Sequence, residues 1–215
     1  RVASEITTWM PGYKELSVGN HLFMTIQWML SSFANEGKAF FIAIWAAGFL
    51  LLMKSKKAKV YQILAVVFSV VALLPYAGIS FFSEMGIGYI DIEQCLTELP
   101  TWQTMTTQNR IAFFWWIAAV LFTLVLLWKV TGHSVFISMV FLGGIASEAV
   151  LHFSPTIYAS GARVYYLTDL MYLFIILWMV MHMDSEKKKN LFIAGVVVLG
   201  VANFLSQYSI MLLKL

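Results

Sequence analysis

Apolar residues in this chain gather into long blocks divided by short polar stretches. A crossing of a bilayer's hydrocarbon core takes about 20 mostly apolar residues, with a range of roughly 17 to 25. Val60 to Phe82, Ile111 to Trp128, Ser134 to Phe153, Val164 to Met183 and Leu191 to Leu213 reach that scale, and the shorter Ala39 to Met53 completes a sixth block. Ahead of them, Leu22, Phe23, Ile26, Met29, Leu30 and Phe33 recur at helical spacing within Ser17 to Ala34. Such a stripe predicts a helix on the membrane surface, or a re-entrant one. The pattern thus predicts an all-α fold: a polytopic transmembrane helix bundle of about six spans plus an outward interfacial or re-entrant helix. Residues 1–38 form the outward segment and 39–215 the bundle, which carries an outward loop at 83–110. Pro75 falls inside the second span, where its missing N–H and its clash with the preceding turn predict a kink.

Composition reinforces the membrane reading. Hydrophobic residues make up 60% of the chain and charged ones 12%, and the mean hydropathy is +0.80. Soluble domains are roughly half apolar and a quarter charged. The net charge of +3 is small, and its lysines are clustered beside apolar runs, so nucleic acid is not an expected partner. Those lysines report topology instead. Lys54, Lys56, Lys57 and Lys59 fill the first connection, Lys129 with His133 the third, and Lys187 to Lys189 the fifth; Arg110 and Arg163 are the basic residues of the other two. The positive-inside rule assigns the lysine-rich turns to the cytoplasm and both ends of the chain to the outside, in a bacterial plasma membrane. Arg1 opens the sequence with no signal-peptide pattern behind it, which reads as a truncation of a longer protein with an odd number of preceding spans. Cys95 is a lone cysteine and supports neither an internal disulfide nor a cysteine zinc cluster.

Ionisable side chains inside spans are costly, at about 2.5 to 3.5 kcal/mol near a helix centre, and by default they mark functional sites. Gly144, Glu148 and His152 recur every fourth residue and share one face of the fourth span, flanked by the small residues Gly143 and Ser147. A partner helix can approach closely there. Asp169 lies on the fifth span with Tyr165, Tyr166 and Tyr172 within a turn of it. Counted from the intervening turn at 1.5 Å per residue, Glu148 and Asp169 each lie about 7 to 8 Å below the outer end. Arg163 stands between them at the membrane edge, where a guanidinium can pair with a carboxylate or take a phosphate through two parallel hydrogen bonds. Glu148, His152, Arg163 and Asp169, with Tyr158 and Ser160 of the turn, form the candidate substrate-binding set. The same charges can instead act as a buried network that fixes the hairpin. No metal site is expected, because His152 lacks the further ligands zinc requires, and no cofactor is implied. Trp9, Trp102, Trp115, Trp116 and Trp178 fit aromatic belts at the bilayer interfaces. The acidic loop residues Glu84, Asp91, Glu93 and Glu98 fit a solvated loop better than a general base.

The run SPTIYASGAR from Ser154 to Arg163, followed by a helix start bearing Asp169, and the run RVASEITTWMPGY from Arg1 to Tyr13, resemble a family of bacterial multi-pass membrane proteins. That family is distantly similar to type-C glycosyltransferases, which use polyprenyl-phosphate sugars. The resemblance implies a carboxy-terminal membrane portion of a protein that handles such sugars in cell-surface polysaccharide assembly. In type-C enzymes the catalytic carboxylate belongs to the first outward loop, which this chain does not contain, so no catalytic residue is assigned. Membrane lipid and a polyprenyl-phosphate-linked sugar are the implied partners. The alternatives are a transporter or flippase for a lipid-linked or small polar substrate, working through Glu148 and Asp169, and a noncatalytic membrane scaffold. The sequence shows no repeat of the kind transporter folds contain.

Overall fold

Helix formation begins at Ser17, whose Oγ accepts a hydrogen bond from the Asn20 amide at 3.2 Å and satisfies one of the orphan donors of the first turn. Residues 17–77, 102–103, 105–132, 134–152 and 165–213 are described by a computed structural model, and all of their regular structure is helical. The α-helices are α1 (Val18–Ser32), α2 (Lys38–Leu52), α3 (Lys59–Leu73), α4 (Thr107–Val130), α5 (Val135–His152), α6 (Tyr166–Met181) and α7 (Glu186–Leu213). A π-helical turn, Phe33–Gly37, joins α1 to α2, and the two helices meet at a bend of 70°.

α2 is the centre of the fold. It packs against α3, α4, α6 and α7, and Phe41, Ile44, Trp45 and Ala47 are wholly buried. A helix apolar around its whole circumference belongs in such an interior position. α4 runs parallel to α2, and Gly48 is what lets them close: a Cβ there would lie 2.7 Å from Leu126 Cδ2. One turn earlier, Trp45 Nε1 donates to Thr123 Oγ1 at 2.8 Å, and that hydroxyl donates to the Ala119 carbonyl at 2.7 Å. The indole N–H is thereby satisfied in the apolar core, where an unmet donor costs about 1 to 3 kcal/mol.

Several boundaries differ from those the apolar blocks predict. α3 ends at Leu73, and the chain tightens into a 3₁₀ turn over Leu74–Ala77, so Pro75 closes the described helix where a kink was expected. Proline cannot supply the N–H that the α ladder needs. α4 begins at Thr107, because Thr106 Oγ1 caps it through the Asn109 amide at 3.2 Å. Arg110, expected in a connection, therefore sits in the first turn and donates through Nη2 to the Trp102 carbonyl at 3.0 Å. α7 begins at Glu186 and takes in the whole lysine run. Within it Lys188 is buried, pairing with Asp184 at 2.9 Å and donating to the Leu50 carbonyl at 2.8 Å. A lysine stem lying along apolar surface with its ammonium on a helix's last carbonyls is favourable on both counts.

One helix, over Asn109–Val130, is by itself long and apolar enough to cross a membrane. The bent pair Val18–Asn35 and Lys38–Leu52 passes the same test jointly, while Val135–Leu151 and Tyr166–Met181 are apolar but shorter.

Candidate functional site

α5 and α6 form an antiparallel pair whose contact is set by a glycine. A Cβ at Gly144 would lie 3.1 Å from Tyr172 Cε1 and 3.6 Å from its Cζ, so the Tyr172 ring rests directly on the α5 backbone. Gly143 beside it is met by the Met171 thioether, at 3.7 Å from a Cβ. Thr168 Oγ1 donates to the Gly144 carbonyl at 3.2 Å, a buried bond that fixes one helix against the other. The small-residue stripe read from the sequence is thus the seat of α6.

One turn beyond Gly144, Glu148 lies on the same face with 1% of its surface exposed. Across the helix pair, Asp169 is half-buried, next to Thr168 and three residues before Tyr172. Glu148 follows Gly144 by one turn on the face that receives the Tyr172 ring, and Asp169 adjoins Thr168, which bonds the Gly144 carbonyl, so the two acidic residues flank the same α5–α6 contact. The Tyr172 ring is 1% exposed and is wedged among Phe41, Phe141 and Phe33, with centroid distances of 5.7, 5.8 and 6.5 Å. Its hydroxyl has no hydrogen-bond partner among the described residues, and the same holds for Gln27 Oε1 on α1. α1 packs against α5 and buries Thr25, Gln27 and Ser31 among its apolar contacts. Buried polar atoms in native folds nearly always find a partner, so unmet ones mark places where water or a ligand group belongs.

Of the sequence-derived set, Glu148 lies on α5 and Asp169 on α6, on either side of the Gly144–Tyr172 contact. His152 closes α5 one turn past Glu148, its side chain lying outside what is described. Tyr158, Ser160 and Arg163 lie outside the described residues. Thr168 and Gln27 were not singled out by the sequence, and Tyr172 was noted there only as a neighbour of Asp169. A lone threonine beside an aspartate at the start of an apolar run is the signal that was available for Thr168. Gln27 falls among the apolar positions of its helix without a charge to draw attention to it.

Chemically, the α5–α6 contact offers two carboxyl groups and a phenol in a largely apolar setting. It can hold a proton, accept hydrogen bonds from hydroxyl groups and donate through Tyr172. Among the described residues no three His, Cys, Asp or Glu side chains converge as a metal ion would need. Comparison with known proteins yields no matching family model, no matching curated protein and no matching solved structure.

Proposed function

We propose that the chain is the membrane portion of a multi-pass bacterial plasma-membrane protein that handles polyprenyl-phosphate-linked sugars in surface polysaccharide assembly. The observation that carries this reading is the buried Glu148 on α5 and the half-buried Asp169 on α6, on either side of the Gly144–Tyr172 contact of two mainly apolar helices. Carboxylates in that position would take the hydroxyl groups of a sugar, and Arg163 at the outer edge would take the carrier's phosphate. No catalytic base is assigned among these residues.

Multi-pass insertion is supported by two features. Large apolar side chains stand exposed along α3, α5, α6 and α7, among them Val60, Phe136, Leu177 and Phe204, and continuous surfaces of that kind suit lipid. The lysine-rich α2–α3 connection and the lysine-bearing first turn of α7 lie at one end of the bundle, where Lys54 Nζ meets Asp184 Oδ2 at 2.7 Å. That placement agrees with a cytoplasmic face. In a background lacking Cys95, cysteines at positions 56 and 187 should resist an impermeant thiol reagent applied to intact cells, while one at 160 should react. Strong labelling at 56 or 187 would overturn the topology.

A transporter is the second reading, favoured by the 70° bend between α1 and α2. Broken helices beside a buried carboxylate are a feature of secondary transporters. The full-length protein in vesicles with a labelled polyprenyl-phosphate sugar separates the two. Transfer without an ion gradient supports the first, uptake that requires a gradient supports the second, and neither outcome leaves a scaffold.

A further inference from the structure

Away from the carboxylates, α2, α3 and α7 leave an apolar slot between them. Ala46 and Leu50 of α2, Ala65 and Val70 of α3, and Gly195 and Leu199 of α7 are among its walls, and the space measures about 510 Å³. That is within the size of ordinary ligand pockets, roughly 300 to 1,000 Å³. Ser69 and Tyr76 carry the only side-chain oxygens among the described residues of the walls. On α7 the lining extends from Leu191 to Ala202, about 16 Å at 1.5 Å per residue. A long, narrow, almost wholly apolar slot fits a hydrocarbon chain and offers little to a polar ligand.

The two ends of the slot differ. At the Tyr76 end the Lys38 ammonium is buried and sits over the Tyr76 ring, 4.7 Å from its centroid, so that charge is already engaged. At the Leu50 and Leu191 end the surface is strongly basic. Asp184 takes Lys54 and Lys188 there, and Glu186 takes Lys189. Lys56, Lys57, Lys59 and Lys187 are exposed, and no ion pair engages them among the described residues. Apolar length running up to a cluster of uncommitted ammonium groups is complementary to one class of molecule, an anionic phospholipid.

We infer that the α2–α3–α7 slot holds one hydrocarbon chain of an anionic phospholipid of the surrounding bilayer, its phosphate lying on the exposed lysines. This rests on the membrane reading of the chain and is independent of the polyprenyl-phosphate substrate. Gly195 supplies a clean probe. Gly195 lines the slot and a Cβ there meets nothing within 4 Å, so Gly195→Leu adds bulk at the slot wall from an unobstructed Cβ. Gly200 is equally unobstructed but does not line the slot, which makes Gly200→Leu the matched control.

The full-length protein would be placed in nanodiscs of equal phosphatidylglycerol and phosphatidylcholine and then moved into detergent, and the lipid it retains would be measured by mass spectrometry. The wild type and Gly200→Leu should retain phosphatidylglycerol in preference to phosphatidylcholine, and Gly195→Leu should lose it. The triple variant Lys56→Gln, Lys57→Gln, Lys187→Gln should still retain lipid but with less preference for phosphatidylglycerol, by about fivefold per lysine, the effect of one charge near an anionic headgroup. If Gly195→Leu shifts the unfolding midpoint, the triple variant decides alone, since exposed lysines are remote from the packing. Retention unchanged in Gly195→Leu of wild-type stability, equal retention of the two lipids by the wild type, or a wild-type dimer that Gly195→Leu splits would each overturn the inference. Release of the protein from membranes by carbonate without detergent would overturn the membrane reading and this inference with it, an outcome distinguishable from loss of lipid selectivity alone.

Discussion

Asp184 lies between two helices and Glu148 inside one, and the chain treats the two acidic residues in opposite ways. Asp184, in the α6–α7 connection, has a side chain 46% exposed and receives Lys54 at 2.7 Å and Lys188 at 2.9 Å. Hydrogen bonds from those two lysines hold its pKa down at about 2. Glu148, 1% exposed in α5, is set among apolar helices with Tyr172 and Asp169. An exposed ion pair is worth little because water screens it and the side chains lose freedom to form it. A buried carboxyl group costs stability unless its surroundings are built for it, and replacement by apolar residues is often neutral or better. The two positions therefore test different things: a surface charge at Asp184 and a carboxyl group inside the helix pair at Glu148.

The comparison can be broken most readily at Glu148. Glu148→Gln keeps the shape and removes the charge, so substrate handling by the full-length protein should fall about ten- to a hundredfold, as expected for losing a charged hydrogen bond of about 1.5 to 3 kcal/mol. Full activity in a folded Glu148→Gln protein would reduce Glu148 to packing. Gly144→Ala tests the platform beneath it. The added Cβ meets a Tyr172 ring that Phe41 and Phe141 prevent from retreating, and the loss of unfolding free energy in a denaturing detergent should be about 1 to 3 kcal/mol. An unchanged midpoint would show the α5–α6 contact to be loose. Gly48→Ala gives a reference for tight packing remote from either carboxylate. Its Cβ would lie 2.7 Å from Cδ2 and 3.0 Å from Cγ of the wholly buried Leu126, so a loss of similar size is expected, about 1 to 3 kcal/mol.

The smallest effect belongs to Asp184→Asn, and its signature is in pH. A carboxyl group held below its ordinary 3.8 adds stability above that value and loses it as pH falls towards about 2, since the unfolded chain takes up the proton first. Melting temperatures of wild type and Asp184→Asn should differ slightly above pH 4 and converge near pH 2. A gap that persists at pH 2 would mean the aspartate acts through something other than its charge.

The helices were legible because long apolar runs leave few other ways to satisfy a backbone, and the close approach of α6 at the small residues around Gly144 followed from their spacing. What the sequence hid depends on how helices rotate about their axes. Nothing in the pattern tells that the Tyr172 ring, among many aromatics, is the one that lies on Gly144. Lys188 reads as one of three loop lysines, yet it begins a helix and caps the end of another, because a long stem can bury while neighbouring lysines stay in water. Pro75 was read as a bend within a span, and it is the end of the described α3 segment, since a 3₁₀ turn costs less there than a distorted α turn.

The notch at Gly144 works as a detent. Sliding α6 along α5 by one turn, about 5.4 Å, would carry the Tyr172 ring from bare backbone onto the side chain of Val140 or Glu148, and would break the Thr168 bond on the way. The pair therefore has one permitted register, and its carboxyl groups cannot change their spacing by a screw or piston motion of one helix. Any working stroke of this molecule must move α5 and α6 together as a single rigid arm, with the hinge placed outside the hairpin.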